Sequence, residues 1–140
     1  MRRMSRYIAI IEYDESEEMF GASFPDAPGA VAMADSEDEV VALATDVLSE
    51  WATDMALAGL EIPEPRSYVT LLKSGEFPQL GKGGMIATIP MVFETGRPAR
   101  ANFSLDAGLL KAIDDEANHL GITRSAFLAS AAKAKIKSAA

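Results

Sequence analysis

The sequence predicts an α+β protein in two parts, an antiparallel sheet with one long helix followed by a short strand and two short helices. Three observations lead there. Short runs of β-branched and aromatic residues, separated by turn residues, fill the first quarter of the chain. A single stretch between residues 36 and 59 repeats its apolar residues at helical spacing. The charge also changes sign near residue 97. The 140-residue chain carries −8 overall, with six basic and seventeen acidic residues before position 97 and seven basic and four acidic from there on. A net of −11 beside a net of +3 suggests two modules with opposite partners.

Residues 6–13, rich in Ile and Tyr, read as a buried or half-buried strand, and residues 19–24 as a second. The polar segment 14–18 between them makes the pair a hairpin. Two prolines and a glycine force a tight turn at 25–29, and residues 30–34 follow as a third short strand. Ser36 and Glu39 have capping-box spacing, and acidic residues fill the first turn that follows. Val40, Leu43, Ala44, Val47, Leu48, Trp51, Met55 and Ala58 then form the apolar stripe of the long helix, which Gly59 is placed to end. Pro63 and Pro65 forbid its continuation. Residues 67–72 are ambiguous: Tyr68, Val69 and Thr70 favour a strand, while Ser67 can cap a helical turn. Residues 85–93 read as a last strand, and Pro90 assigns it to an edge or a bulge.

Beyond the linker at 94–98, Ala101, Phe103 and Leu105 alternate with Arg100, Asn102 and Ser104, the period-two signature of a strand with one apolar and one polar face. One helix is expected from about Asp106, with Leu109, Ile113, Ala117 and Leu120 on one face and Gly121 at its end. Thr123 caps a second, carrying Phe127, Leu128, Ala131 and Ile136. A lone strand beside two short helices leaves ladder groups unpaired and a core too small to stand alone. A second copy of the chain cures both. Ala101, Phe103 and Leu105 then form the dimer core, and the paired strands present Arg, Asn and Ser to a major groove. This is the ribbon-helix-helix arrangement. It expects a homodimer on operator DNA, with pairing of dimers into tetramers left open.

The bulk numbers exclude several classes. There is no cysteine, hence no disulfide scaffold and no thiolate metal site, in keeping with a reducing cytoplasm. The basic start is followed by too short an apolar run for a signal peptide, and nothing approaches a membrane-spanning length. His119, the single histidine, lies near a helix end without ligand partners and reads as structural. No serine has a histidine base to spare, and no Gly-rich phosphate loop occurs. Neither metal nor cofactor is expected, and catalysis is not.

The motifs Phe24-Pro-Asp-Ala-Pro-Gly29, Ser36-Glu-Asp-Glu39 and Ile62-Pro-Glu-Pro65 come in this order before Arg100-Ala-Asn-Phe-Ser-Leu105 and Gly121-Ile-Thr-Arg-Ser-Ala-Phe-Leu128. In order and spacing, over nearly the whole chain, they resemble the HicB-type antitoxins of bacterial toxin–antitoxin systems. The resemblance implies a partial RNase H-like domain at residues 1–94 that binds and inhibits a small basic ribonuclease toxin of the HicA type. It implies a DNA-binding domain at 97–140, ribbon-helix-helix in some members and helix-turn-helix in others; this tail matches the ribbon form. Asp106 stands where the family often has Pro, and either residue starts a helix. The resemblance also favours a helix at 67–72.

Candidate contacts follow. Arg97, Arg100, Asn102 and Ser104 would face DNA from the ribbon, although alternation alone is equally that of a solvated strand. Backbone N–H groups near Thr123, Arg124 and Ser125 offer a phosphate site, which ordinary capping also explains. For the toxin, Phe24, Pro25 and Asp26 offer a rigid loop with an aromatic and a carboxylate; the alternative is a tight strand connection whose Phe is core. Asp14, Glu15, Glu17 and Glu18 are either a steering patch for a basic partner or a solvated hairpin turn. Two other functions stay open. A deep apolar pocket in the first domain would favour a ligand-sensing regulator, and carboxylates within metal distance would favour a metal-dependent nuclease.

Overall fold

Tyr7, Ala9 and Ile11 alternate with Ile8, Ile10 and Glu12, and this stretch forms β1 (Arg6–Asp14) in a computed structural model that describes residues 6–139. Residues 7–11 are buried without interruption, which suits a central strand covered on both faces. β2 (Met19–Ser23), β3 (Val31–Ala34) and β4 (Met85–Pro90) complete an antiparallel sheet in the order β3-β2-β1-β4. Ile11 stands opposite Ala22 and Met85, and Ala22 opposite Ala32, so one inner row crosses all four strands. β4 lies at an edge, as Pro90 required, and Pro90 is its last residue, opposite Arg6.

The long helix, α1 (Glu37–Leu57), packs on the inner face, where Val40, Ala44 and Leu48 meet Tyr7, Ala9, Ile11, Phe24 and Ile89. Ser36 caps it through the Glu39 backbone N–H at 3.2 Å. Among the described residues only this half of the capping box forms, and the neighbouring Asp35 carboxyl pushes Glu39 above its usual range. Gly59, at φ 71°, closes the other end; Leu60 N–H reaches Met55 O at 2.9 Å and Gly59 N–H reaches Ala56 O at 3.1 Å. The buried stripe is rotated from the expected one. Leu43 is exposed, while Ala52 and Thr45 are buried, Thr45 donating to Val41 O at 2.9 Å. Alanines at 44 and 52 let the helix approach the sheet closely, which turns Leu43 to the flank.

Ser67 caps α2 (Tyr68–Ser74), so the ambiguous segment is helical. Contacts divide the described chain into a first unit ending at Thr95 and a second, Gly96–Ala139. In the second, α3 (Ala107–Leu120) and α4 (Arg124–Lys137) pack on each other. Asp106 caps α3 by accepting from Gly108 N and Leu109 N at 2.8 and 3.3 Å. Gly121, at φ 71°, ends it, and Thr123 caps α4 through Ala126 N at 3.1 Å. Residues 97–106 form no regular element in the single chain.

Candidate functional site

The turn between β1 and β2 is built by one carboxylate. Asp14 Oδ1 accepts from Ser16 N at 2.9 Å, Ser16 Oγ at 2.6 Å and Glu17 N at 3.3 Å. The Ser16 hydroxyl, with the two backbone donors, holds the Asp14 carboxyl below its ordinary range. Glu18 takes a left-handed backbone at φ 53°, and Glu15, Glu17 and Glu18 are exposed around this ordered turn. The four acidic residues therefore share one solvent-facing site.

The second expected contact is placed differently. Phe24 is 4% exposed and belongs to the sheet–helix core. Asp26 is 8% exposed and accepts from Arg66 twice, from the backbone N–H at 2.6 Å and from Nε at 2.7 Å. The other guanidinium nitrogens of Arg66 meet Glu76 at 3.1 and 2.7 Å. Bonded mainly to Glu76 and then to Asp26, the guanidinium is held charged, and in turn it keeps the Glu76 carboxyl below its usual range. Trp51 Nε1 donates to Pro28 O at 3.1 Å, and the Tyr7 hydroxyl donates to Pro63 O. Burial, then the charges of Asp26 and Glu64, push the Tyr7 hydroxyl upward. The outward presentation of Phe24 and Asp26 expected from the motif is thus corrected. The loop is a strand connection pinned inward, and of the three residues only Pro25, half-buried, leaves much surface. Arg66, forty positions away from Asp26, was the missing partner, and nothing in the local sequence around either residue announces the pair.

In the tail, Arg97, Arg100, Asn102 and Ser104 are exposed along the connection before α3. So are their apolar neighbours: Ala101, Phe103 at 60% and Leu105 at 39%. Thr123, Arg124 and Ser125 come together at the start of α4. Arg124 makes a two-pronged ion pair with Asp114 of α3, 2.8 Å at each prong, which lowers the Asp114 carboxyl and raises the guanidinium. Asp114 was not singled out in the sequence; an acid on one helix and a base ten positions on, across the Gly121 turn, is the signal that points to it.

A small cavity of about 190 Å³ lies among Tyr7, Ile62, Pro63, Pro65, Met91 and Phe93, below the roughly 300–1,000 Å³ of ordinary ligand pockets. Among the described residues no three His, Cys, Asp or Glu side chains gather to hold a metal ion, and no helix is long and apolar enough to cross a membrane.

Residues 7–132 match the family described as the HicB-like antitoxin of bacterial toxin–antitoxin systems. No curated protein matches the chain. Among solved structures, the fold is similar to the antitoxin HicB of Burkholderia pseudomallei, at 21% identity over 92% of this chain and 96% of that one, with a TM-score of 0.56. It is also similar to a chain of a toxin–antitoxin complex from Streptococcus pneumoniae, at 16% identity over 93% of this chain and 97% of that one, with a TM-score of 0.52. The mixed α/β architecture of sheet, long helix and helical tail is thus shared with HicB structures, and the chain belongs to the HicB-like antitoxin family of bacterial toxin–antitoxin systems.

Proposed function

We propose that the chain neutralises a small basic ribonuclease toxin of the HicA type with its first domain, residues 1–94, and represses its own operon through its tail, residues 97–140. The observation that carries this reading is a single family match running through both units, residues 7–132. The charge division supports the assignment of partners. An acidic domain steers a basic RNA-binding protein and repels nucleic acid, and a basic tail does the opposite.

The sheet and α1 make the first domain a partial RNase H-like fold in this reading. It masks the toxin stoichiometrically and turns nothing over. The turn at Asp14, Glu15, Glu17 and Glu18 accelerates encounter, and Pro25, past the other end of β2, supplies a separate contact. Phe24 and Asp26 serve indirectly, by holding their loop.

The tail is read as ribbon-helix-helix because its core is unfinished in one chain. Among its described residues only Ile113 and Ala117 are buried, α4 buries nothing, and Phe103, Leu109, Leu120 and Ile122 stand well exposed. Pairing the 100–105 segment with its copy covers the Ala101, Phe103 and Leu105 row and supplies the missing ladder. Arg100, Asn102 and Ser104, with Arg97 beside them, then enter the groove, while Thr123, Arg124 and Ser125 meet phosphates. Asp114 holds the Arg124 guanidinium in place for this.

Two experiments test the reading. The tagged full-length chain is expected to co-purify with the ribonuclease encoded beside it, and to shift a duplex carrying its own promoter in preference to a scrambled one. Failure to retain the toxin would remove the first half, and equal affinity for both duplexes the second.

A further inference from the structure

Gly21 opens a gap in the outer face of the sheet. Glu12 stands opposite Gly21, and Gly21 opposite Met33, so one row crosses three strands with no side chain at its centre. Two strand spacings separate the flanking side chains by roughly 10 Å. The result is an open trough of about 440 Å³, floored by Gly21, with Glu12, Asp14 and Glu15 on one side and Met19 and Met33 about it. Beyond it, at the edge of the sheet, Val31 and Met33 are 61% and 62% exposed. Two large apolar side chains left open on an edge strand invite association unless something covers them.

Charge decides what covers them. A second copy would set two strongly acidic domains together, residues 1–96 carrying a net −11 in each, and like charges across an interface are unfavourable. A cationic side chain fits both halves of the trough: an aliphatic stem lies along Met19 and Met33, and its charged head meets Glu12, Asp14 and Glu15. Asp14 is already fixed by its turn and needs no reordering to accept it.

We infer that the Gly21 trough and the Val31–Met33 edge form the docking surface for the toxin, receiving an Arg or Lys side chain of that basic protein. This rests on the antitoxin reading and deepens it by assigning the surface that does the masking.

Gly21 also provides the test. A Cβ there meets nothing within 4 Å, and its backbone is not left-handed. Gly21→Val therefore fills the trough while suiting a strand better than glycine does. Binding of the full-length chain to the ribonuclease encoded beside it is measured by calorimetry, with thermal melts and sedimentation of the chain alone. Gly21→Val is expected to melt no lower than the parent yet bind about 10-fold more weakly or worse. Met33→Lys, which sets a positive charge in the path of the incoming one, is expected to lose about 100-fold. Val69→Lys, at an equally exposed apolar site on α2, is expected to bind as the parent does. Parent-like affinity in both folded trough variants would overturn the surface and leave the antitoxin reading standing. No binding by the parent chain would overturn both. Loss of self-association on Met33→Lys, with toxin binding intact, would assign the edge to a second copy and refute the proposal.

Discussion

Replacing Phe24 by Ala separates a core residue from a contact residue at the Phe24–Gly29 loop. The ring is 4% exposed, among Tyr7, Ile11, Leu48 and Ile89. Truncating a buried Phe removes its transfer energy and leaves a cavity, together about 3–5 kcal/mol. Against a total of about 5–15 kcal/mol this is a large fraction, and for a domain of this size it lowers the melting temperature by about 12–40 °C. Phe24→Leu keeps most of the volume and is expected to cost less than about 1.5 kcal/mol. The assay is urea unfolding of the full-length chain followed by Trp51 fluorescence. Trp51 is the sole tryptophan and is bonded to Pro28 of the same loop, so its signal reports the first unit alone. A loss below about 1 kcal/mol in Phe24→Ala, with toxin binding abolished, would refute the burial argument. Phe24 would then be an interface side chain.

Three further outcomes are expected. Phe103→Asp costs little where the ring is exposed in one chain but buries an unpaired charge in the dimer; roughly 3 kcal/mol or more, about 100-fold in dimer Kd, should convert the chain to monomer by sedimentation, and an unchanged dimer would exclude the ribbon. In gel shifts, Arg100→Ala or Asn102→Ala should cost roughly 1–3 kcal/mol at the operator and relax base preference, whereas Arg124→Ala should weaken all duplexes alike and reduce the salt slope by about one; unchanged operator affinity in Arg100→Ala would take the ribbon out of the groove. The Asp114 carboxyl lies below its ordinary range because of Arg124, so the pair stabilises the tail above the unfolded carboxylate pKa and the contribution is lost as pH falls through the lowered folded value. Helical content followed by circular dichroism from pH 7 towards pH 2 should therefore fall less steeply in Asp114→Asn than in the parent, and parallel curves would dismiss the pair as a stabilising element.

Local chemistry made most of the fold legible. The hairpin, the turn at 25–29, the caps at Ser36, Asp106 and Thr123, and the glycine stops at 59 and 121 are each set by residues within a few positions. What escaped depends on partners far along the chain. Leu43 belongs to a helical pattern, yet Ala44 and Ala52 decide which side meets the sheet, and that depends on the small residues opposite them. Asp26 has the look of a presented carboxylate until Arg66 arrives to take it. The acidic turn needed no such partner, since Asp14 organises it with its immediate neighbours, and its exposure was readable from the sequence. The trough at Gly21 was not, because a gap in a sheet face exists only once the register sets Gly21 between Glu12 and Met33.

In the proposed function the chain masks its toxin by stoichiometric binding. This is tested most directly by titrating the full-length chain into a fixed amount of the ribonuclease encoded beside it and following cleavage of a labelled RNA. Activity is expected to fall linearly to zero near equimolar subunits, with no change in the RNA when the chain is added alone. Full cleavage at a several-fold excess of the chain, or degradation of RNA by the chain itself, would contradict it.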